Sequence, residues 1–153
     1  MFIAQPLRQC FLATVLLATA CFGQTFGKWK LNAARSTFAG DIRPKSLTLR
    51  LEARAKGEVF TFDRTEVTGR TTVSSMVLYF DGVARDFQEG ECTGTQSSRR
   101  IDSETIEILR NCGGSAWTRL VERTAPKDEL ILEISEQRAD GRRFGRRLVF
   151  ERQ

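Results

Sequence analysis

Apolar and polar residues alternate strictly along three segments of the chain. In residues 46–55, every second residue from Leu47 to Ala53 is apolar, and the residues between them are polar or charged. Residues 104–110 and 129–136 repeat the pattern, with Ile106 and Ile134 among the apolar positions. A period of two places alternate side chains on opposite faces of a β-strand. Each segment is therefore predicted to be a strand with one buried face.

Other parts of the chain also have the composition of strands and are separated by turn residues. These segments are 58–66, 71–80, 83–88, 95–101, 116–123 and 143–152. Their connections include Asp81-Gly82 and Asp140-Gly141, and Asp-Gly is typical of tight hairpins because both positions of the turn adopt positive φ. No segment has the periodicity of an amphipathic helix. We therefore predict an all-β chain of about eight to ten antiparallel strands.

Short turns between consecutive strands predict an up-and-down meander. A meander of this length is most stable when it closes, because closure pairs the exposed edges. The first expectation is therefore an antiparallel up-and-down β-barrel, and a β-sandwich is the alternative. The outward positions carry charges such as Arg50, Glu52 and Glu133. They form no apolar band, so a barrel that spans an outer membrane is disfavoured.

The beginning of the chain has a different character. Arg8 is the only charged residue before an uncharged, largely apolar run from Cys10 to Phe22. This arrangement is typical of a secretory signal peptide, and the run is shorter than the ~20 residues of a membrane-spanning helix. We expect cleavage after Gly23. That gives a signal peptide over residues 1–23 and one exported domain over residues 24–153, periplasmic or secreted.

Two alternatives remain open at the N terminus. Cleavage within Ala18-Thr19-Ala20-Cys21 would leave Cys21 as the first residue and as the site of a lipid anchor, although the leucine usual three residues earlier is missing. The second alternative is that the apolar run is not cleaved and serves as a membrane anchor, but the run is too short to favour this.

Cys92 and Cys112 are the two cysteines of the predicted domain. An even pair in an oxidising compartment indicates a disulfide, with free thiols as the alternative. Zinc binding is disfavoured because zinc sites usually combine closely spaced cysteines with histidine. A bridge of this span is expected to stabilise the fold by ~3 kcal/mol.

Composition excludes several classes of function. The chain contains no histidine, which excludes Ser-His-Asp and Cys-His catalysis and histidine-ligated zinc or haem. Glu89 and Glu91 could form an acid pair, or a calcium site with Asp86, but their spacing is more typical of a solvated loop. We expect no cofactor and no metal.

The basic residues do not indicate nucleic-acid binding. The net charge of +5 is modest and is spread among many acids. The densest basic cluster consists of Arg142, Arg143, Arg146 and Arg147. On a strand these arginines divide between the two faces, so we expect surface solubilisation and one or two inward arginines.

The opening of the predicted domain resembles a known group of proteins. The stretch from Gly27 to Asn32 reads Gly-Lys-Trp-Lys-Leu-Asn, and it is similar to the opening of a group of small exported bacterial proteins with lipocalin-like, calycin-type β-barrels. The resemblance spans most of residues 26–152. Gly27-Lys28-Trp29 also matches the Gly-x-Trp of the wider lipocalin and fatty-acid-binding group. That match implies a tryptophan at the barrel floor with a late arginine packed across it.

Barrel closure connects Trp29 with the end of the chain. If the first strand pairs antiparallel with the last, Trp29 faces residues 150–152. Arg152 lies two positions after Phe150, so its side chain is predicted to be on the same inward face of the strand. Arg152 is therefore the leading candidate to cover the indole, and Arg146 is the second. A guanidinium within ~6 Å of the ring contributes roughly 0.5–2 kcal/mol. The alternative is that Trp29 is an ordinary core residue and both arginines are solvated.

The function expected from these features is that of a non-enzymatic exported module that binds a small, mostly apolar molecule or an envelope component in its barrel. A structural or protein-binding module with a filled barrel is one alternative. An enzyme that uses carboxylates or Tyr79 is the other. A dry apolar cavity would favour the binding module, and a filled interior would favour the structural module. A cavity with two converging acids of raised pKa would favour the enzyme.

Overall fold

The computed structural model describes residues 25–38, 43–90, 92–126 and 128–153. The predicted signal peptide and the lipid-anchor candidate Cys21 lie outside the described residues. The regular structure within them consists of β1 (Gly27–Leu31), β2 (Thr37–Phe38), β3 (Ser46–Arg54), β4 (Gly57–Thr65), β5 (Thr71–Leu78), β6 (Arg85–Glu89), β7 (Cys92–Arg100), β8 (Thr105–Asn111), β9 (Trp117–Ala125), β10 (Glu129–Gln137) and β11 (Arg143–Arg152). Across these ranges, no helix is long and apolar enough to cross a membrane.

The all-β prediction is confirmed. The nine segments identified from alternation and composition correspond to β3 through β11, with ends that differ by a few residues. All strand pairs are antiparallel and belong to one curled sheet, in the order β5-β4-β3-β1-β11-β10-β9-β8-β7-β6, with β2 beside β11. The first strand pairs with the last, and Trp29 lies opposite Arg152. The chain therefore forms an up-and-down barrel and not a sandwich.

Closure of the barrel is less complete than the sequence predicts. Within the described residues β5 and β6 share no ladder, and the isolated bridge between Asp81 and Arg99 lies near one end of the space between them. There the backbone nitrogens of Tyr79 and Phe80 donate to Ser98 Oγ at 3.1 and 3.3 Å. At this level β6 has not yet begun, so it offers no backbone partner to these two nitrogens. The Ser98 hydroxyl accepts their hydrogen bonds instead. The remaining space between β5 and β6 is the gap cleft.

The inward side chains fill one half of the barrel. The largest fully buried ones are Trp29, Phe60, Phe150, Leu49, Leu51, Leu78, Ile108, Leu130, Leu132, Glu122 and Val149. Of these, only Val149 faces outward, because it alternates with inward Leu148 and Phe150 on β11. Its backbone nitrogen and oxygen bond to Ser36 Oγ and the Asn32 nitrogen. The other half, which ends at the turns 66–70, 112–116 and 138–142, is the open half and is less tightly filled.

Candidate functional site

An interior cavity of about 360 Å³ lies in the open half of the barrel. Its apolar wall consists of the inward side chains Leu47, Phe62, Met76, Ile108, Leu120, Ile134 and Leu148. The alternation of β3, β8 and β10 had placed Leu47, Ile108 and Ile134 on the buried faces of their strands. The volume lies within the range of about 300–1,000 Å³ that is typical of small-molecule sites.

Charged side chains line the cavity toward the open end. Three are arginines and two are glutamates: Arg64, Arg110, Arg146, Glu89 and Glu136. Arg146 Nη2 donates to Glu136 Oε2 at 2.6 Å. Arg110 forms an ion pair with Glu89, and its Nε donates to Gln96 Oε1 at 2.8 Å. Three guanidinium groups against two carboxylates leave this set of lining residues with a net positive formal charge.

The gap cleft has a volume of about 500 Å³ and borders the interior cavity, with which it shares lining residues. One side of the cleft is formed by residues 73–77 of β5 and the other by β6. The side chains that line both spaces are Ser74, Met76, Glu89 and Arg110. Arg110 also lies over the Phe87 ring, with Cζ 4.8 Å from the centroid. The Glu89–Arg110 pair therefore stands at the boundary between the barrel interior and the cleft.

The predicted disulfide is present in the structure, between Cys92 and Cys112, whose Cα atoms are 5.0 Å apart. Cys92 lies opposite Glu89 in the β6–β7 ladder. Cys112 follows Arg110 by two residues. Gly94 allows this close packing, because a Cβ there would lie 1.8 Å from the Asn111 oxygen. The disulfide thus ties together the chain segments that carry Glu89 and Arg110.

The structure brings Trp29 and Arg152 together. Arg152 Cζ lies 4.3 Å from the Trp29 ring centroid, and its Nη1 donates to the Phe26 oxygen at 2.9 Å. The indole Nε1 donates to the Thr25 oxygen at 2.9 Å, and Trp29 is fully buried. These contacts complete the packed half of the barrel.

The second residue predicted for that contact, Arg146, lies elsewhere. It is opposite Ile134 in the β10–β11 ladder and borders the interior cavity. Six residues separate it from Arg152 on the same strand, a distance of roughly 20 Å at the rise of an extended chain. It shares the inward face of β11, as its parity predicts, but it is at the opposite end of the barrel.

Two glutamates are buried inside the packed half of the barrel. Arg100 Nη2 donates to Glu58 Oε1 at 3.3 Å, whereas Glu58 Oε2 and Glu122 Oε2 are buried without a hydrogen-bond partner. Burial and the nearby Glu58 charge raise the pKa of Glu122 to about 8. Burial also raises the pKa of Glu58, and Arg100 opposes that shift. Neither acid lines the interior cavity or the gap cleft.

Glu89, one of the two acids considered as a pair from the sequence, has no such burial. Glu89 is exposed at the end of β6 and pairs with Arg110. Glu91 lies outside the described residues. Tyr79 is exposed as well, and its ring is covered by the Arg85 guanidinium at 4.2 Å.

Comparison with known proteins supports the fold. No family model matches the chain, and no curated protein is similar to it. A solved structure of a Schistosoma mansoni fatty acid binding protein in complex with arachidonic acid matches with a TM-score of 0.57 and 10% identity, over 86% of this chain and 98% of that one. The wild-type fluorescent protein UnaG matches with a TM-score of 0.54 and 12% identity, over 85% and 98%. At such low identities the likeness establishes a barrel of this type and nothing about the ligand.

Proposed function

We propose that this chain is a non-enzymatic, exported binding protein that holds one small, mostly apolar molecule with an anionic group in its barrel. The interior cavity carries the proposal, because its wall is apolar while the charged residues converge at its open end. Burial of an apolar ligand surface there supplies affinity, and the few polar groups fix its orientation. The likeness to a barrel that binds arachidonic acid supports this proposal.

The arginines determine which ligands suit the site. A guanidinium that is removed from water needs an anion, and it binds carboxylates in a fixed bidentate geometry. The cavity lining contains three guanidinium groups, those of Arg64, Arg110 and Arg146, and these favour an anionic group of the ligand over a cationic one. A ligand with one anionic group therefore suits the cavity better than a cation or a fully apolar molecule.

Two alternatives are less well supported. A purely structural module would need a filled barrel, but the open half contains the interior cavity. An enzyme based on carboxylates would need two acids of raised pKa that face a substrate. Among the described residues, the acids with raised pKa are Glu58 and Glu122, and neither lines the cavity or the cleft.

Export is part of the proposal and rests on two observations. The sequence of residues 1–23 is typical of a signal peptide. The Cys92–Cys112 disulfide fits an oxidising compartment. We also propose kinship with the small exported bacterial lipocalin-like proteins that the stretch from Gly27 to Asn32 resembles.

Ligand binding is tested by displacement of the neutral fluorescent probe N-phenyl-1-naphthylamine with dodecanoate or dodecan-1-ol. We expect both ligands to displace the probe and dodecanoate to do so at lower concentration. Ile134→Trp should abolish binding because the new ring occupies the cavity. Ile131→Trp is the matched control, since Ile131 lies on the same strand but faces outward. Absence of binding in the unmodified chain, or equal loss in both variants, would contradict the proposal.

A further inference from the structure

We propose that the anionic group of the ligand binds to Arg110 at the gap cleft, where it displaces the Glu89 carboxylate, while the apolar part lies in the interior cavity. This inference rests on the proposed function and assigns the polar end of the ligand to one residue. The ligand class is then an amphiphile with a single carboxylate or similar anion.

Arg110 is held in place by contacts that do not depend on Glu89. Its Nε donates to Gln96 Oε1 at 2.8 Å, and its Cζ lies 4.8 Å from the centroid of the Phe87 ring. Gln96 is itself oriented by β5, because its Nε2 donates to the Val77 oxygen at 3.1 Å. The Arg110 guanidinium therefore keeps its position when the anion at Nη1 is exchanged.

Exposure distinguishes the two members of this ion pair. The Arg110 side chain is 16% exposed, whereas that of Glu89 is 41% exposed. A largely buried guanidinium is costly to leave without an anion. A half-exposed carboxylate is hydrated readily once it is released, so its pairing contributes little. Replacement of Glu89 by a ligand carboxylate thus keeps Arg110 neutralised and moves the displaced charge into water.

The other ion pair at the cavity is less suited to such an exchange. The side chains of Arg146 and Glu136 are 21% and 17% exposed, so both partners are shielded from water. A ligand that displaced Glu136 would leave a poorly hydrated carboxylate with its longer, 3.7 Å contact to Arg138 in place of the Arg146 pair, which is unfavourable. Arg110, which also borders the gap cleft, is therefore the better site for the anionic group.

The Cys92–Cys112 disulfide favours a local exchange over strand separation. It joins the residue opposite Glu89 to the segment that follows Arg110. The two backbones therefore stay together when the side-chain pair opens. Only the Glu89 side chain has to rotate toward the cleft.

The test compares three variants of the purified chain with the same neutral probe and with dodecanoate and dodecan-1-ol as competitors. Glu89→Gln should tighten dodecanoate binding by about tenfold, because it removes the competing carboxylate, and should leave dodecan-1-ol unchanged. Arg110→Gln should weaken dodecanoate binding by about tenfold or more, again without an effect on the alcohol. Glu133→Gln, which removes a carboxylate from the outer face of β10, is the matched control and should change neither ligand by a comparable factor. Unchanged alcohol binding shows that each variant is folded.

The outcomes separate this inference from the proposed function. If dodecanoate binds to the unmodified chain but Glu89→Gln and Arg110→Gln leave its affinity unchanged, the Arg110 subsite is wrong and the binding function stands. A gain in Glu133→Gln as large as that in Glu89→Gln would show a general effect of charge and would also overturn the subsite. If neither ligand displaces the probe from the unmodified chain, both proposals fail. Carboxyl ¹³C chemical shifts of labelled dodecanoate give a second readout, since the Arg110 contact should keep the bound carboxyl ionised at lower pH than in Arg110→Gln.

Discussion

Arg152 lies across the face of Trp29, with Cζ 4.3 Å from the ring centroid, and thereby joins the last strand of the sheet to the first. The same side chain donates from Nη1 to the Phe26 oxygen and from Nε to Asp128 Oδ1. One residue thus ties the start of β1, the β9–β10 turn and the end of β11 together at the packed end of the barrel.

Arg152→Ala is expected to lower the free energy of unfolding by about 1–2 kcal/mol, because it removes the cation–π contact and the hydrogen bond to the Phe26 oxygen. Urea unfolding followed by tryptophan fluorescence measures the change. Arg147→Ala is the control, since the Arg147 side chain is exposed on the outer face of the same strand. Equal small effects of the two substitutions would mean that the contact does not stabilise closure.

Glu122 should make the protein less stable as the pH rises. Its pKa is about 8 in the folded chain, against about 4.3 for an unperturbed glutamate, so the folded state holds a proton that the unfolded state releases first. The contribution of protonated Glu122 to the free energy of unfolding is complete below about pH 4. It falls between about pH 4 and 8 and is lost above about pH 8. Glu58, whose charge raises the pKa of Glu122, and Arg100, whose charge lowers it, face the same group.

Glu122→Gln tests this dependence because the amide resembles the protonated acid in shape and lacks a titrating proton. We expect the unmodified chain to lose up to a few kcal/mol of stability between pH 5 and pH 8, and the variant to lose much less. Denaturant unfolding at several pH values measures both curves. Glu52→Gln, at an exposed outward position, should reproduce the unmodified curve. Parallel curves for Glu122→Gln and the unmodified chain would show that Glu122 is ionised throughout.

Loss of the disulfide should destabilise the fold by ~3 kcal/mol on the chain-entropy model, since Cys92 and Cys112 are separated by 20 residues. Unfolding of the double variant Cys92→Ser/Cys112→Ser, compared with the unmodified chain with and without dithiothreitol, measures this contribution. The reductant should affect only the unmodified chain. If it has no effect there, the two cysteines are not bridged in solution.

The strands that sequence patterns identify are those with one apolar face. In β3, β8 and β10 the alternation of Leu47, Ile106 or Ile134 with polar neighbours predicts both the strand and its inward side. β1 has only five residues and is found through its Gly-x-Trp motif. β2 has two residues, and its pairing depends on the course of β11 past β1. Because β2 and β11 are far apart in the chain, their pairing produces no recognisable pattern in the sequence around β2.

The site is only partly visible in the sequence. Arg110 shares the parity of Ile106 and Ile108, so its inward position follows from the pattern of β8. The buried acids are not predictable in this way, because Val59 and Val121 are buried on the outward faces of β4 and β9. These outward apolar residues obscure the alternation, so the inward parity of Glu58 and Glu122 cannot be recognised. The gap cleft depends on how far the sheet curls, which no local pattern encodes.

Native mass spectrometry of the chain purified from its own host shows whether the barrel holds a ligand. We expect a fraction of molecules with one bound mass, released on denaturation and identified as an apolar molecule with a single anionic group. The same preparation of Ile134→Trp, in which the interior cavity is filled, should have lost that mass, and Ile131→Trp should have kept it. A bound mass that persists in Ile134→Trp, or an unmodified chain that carries none and takes up no dodecanoate when it is added, would mean that the interior cavity is not a ligand site.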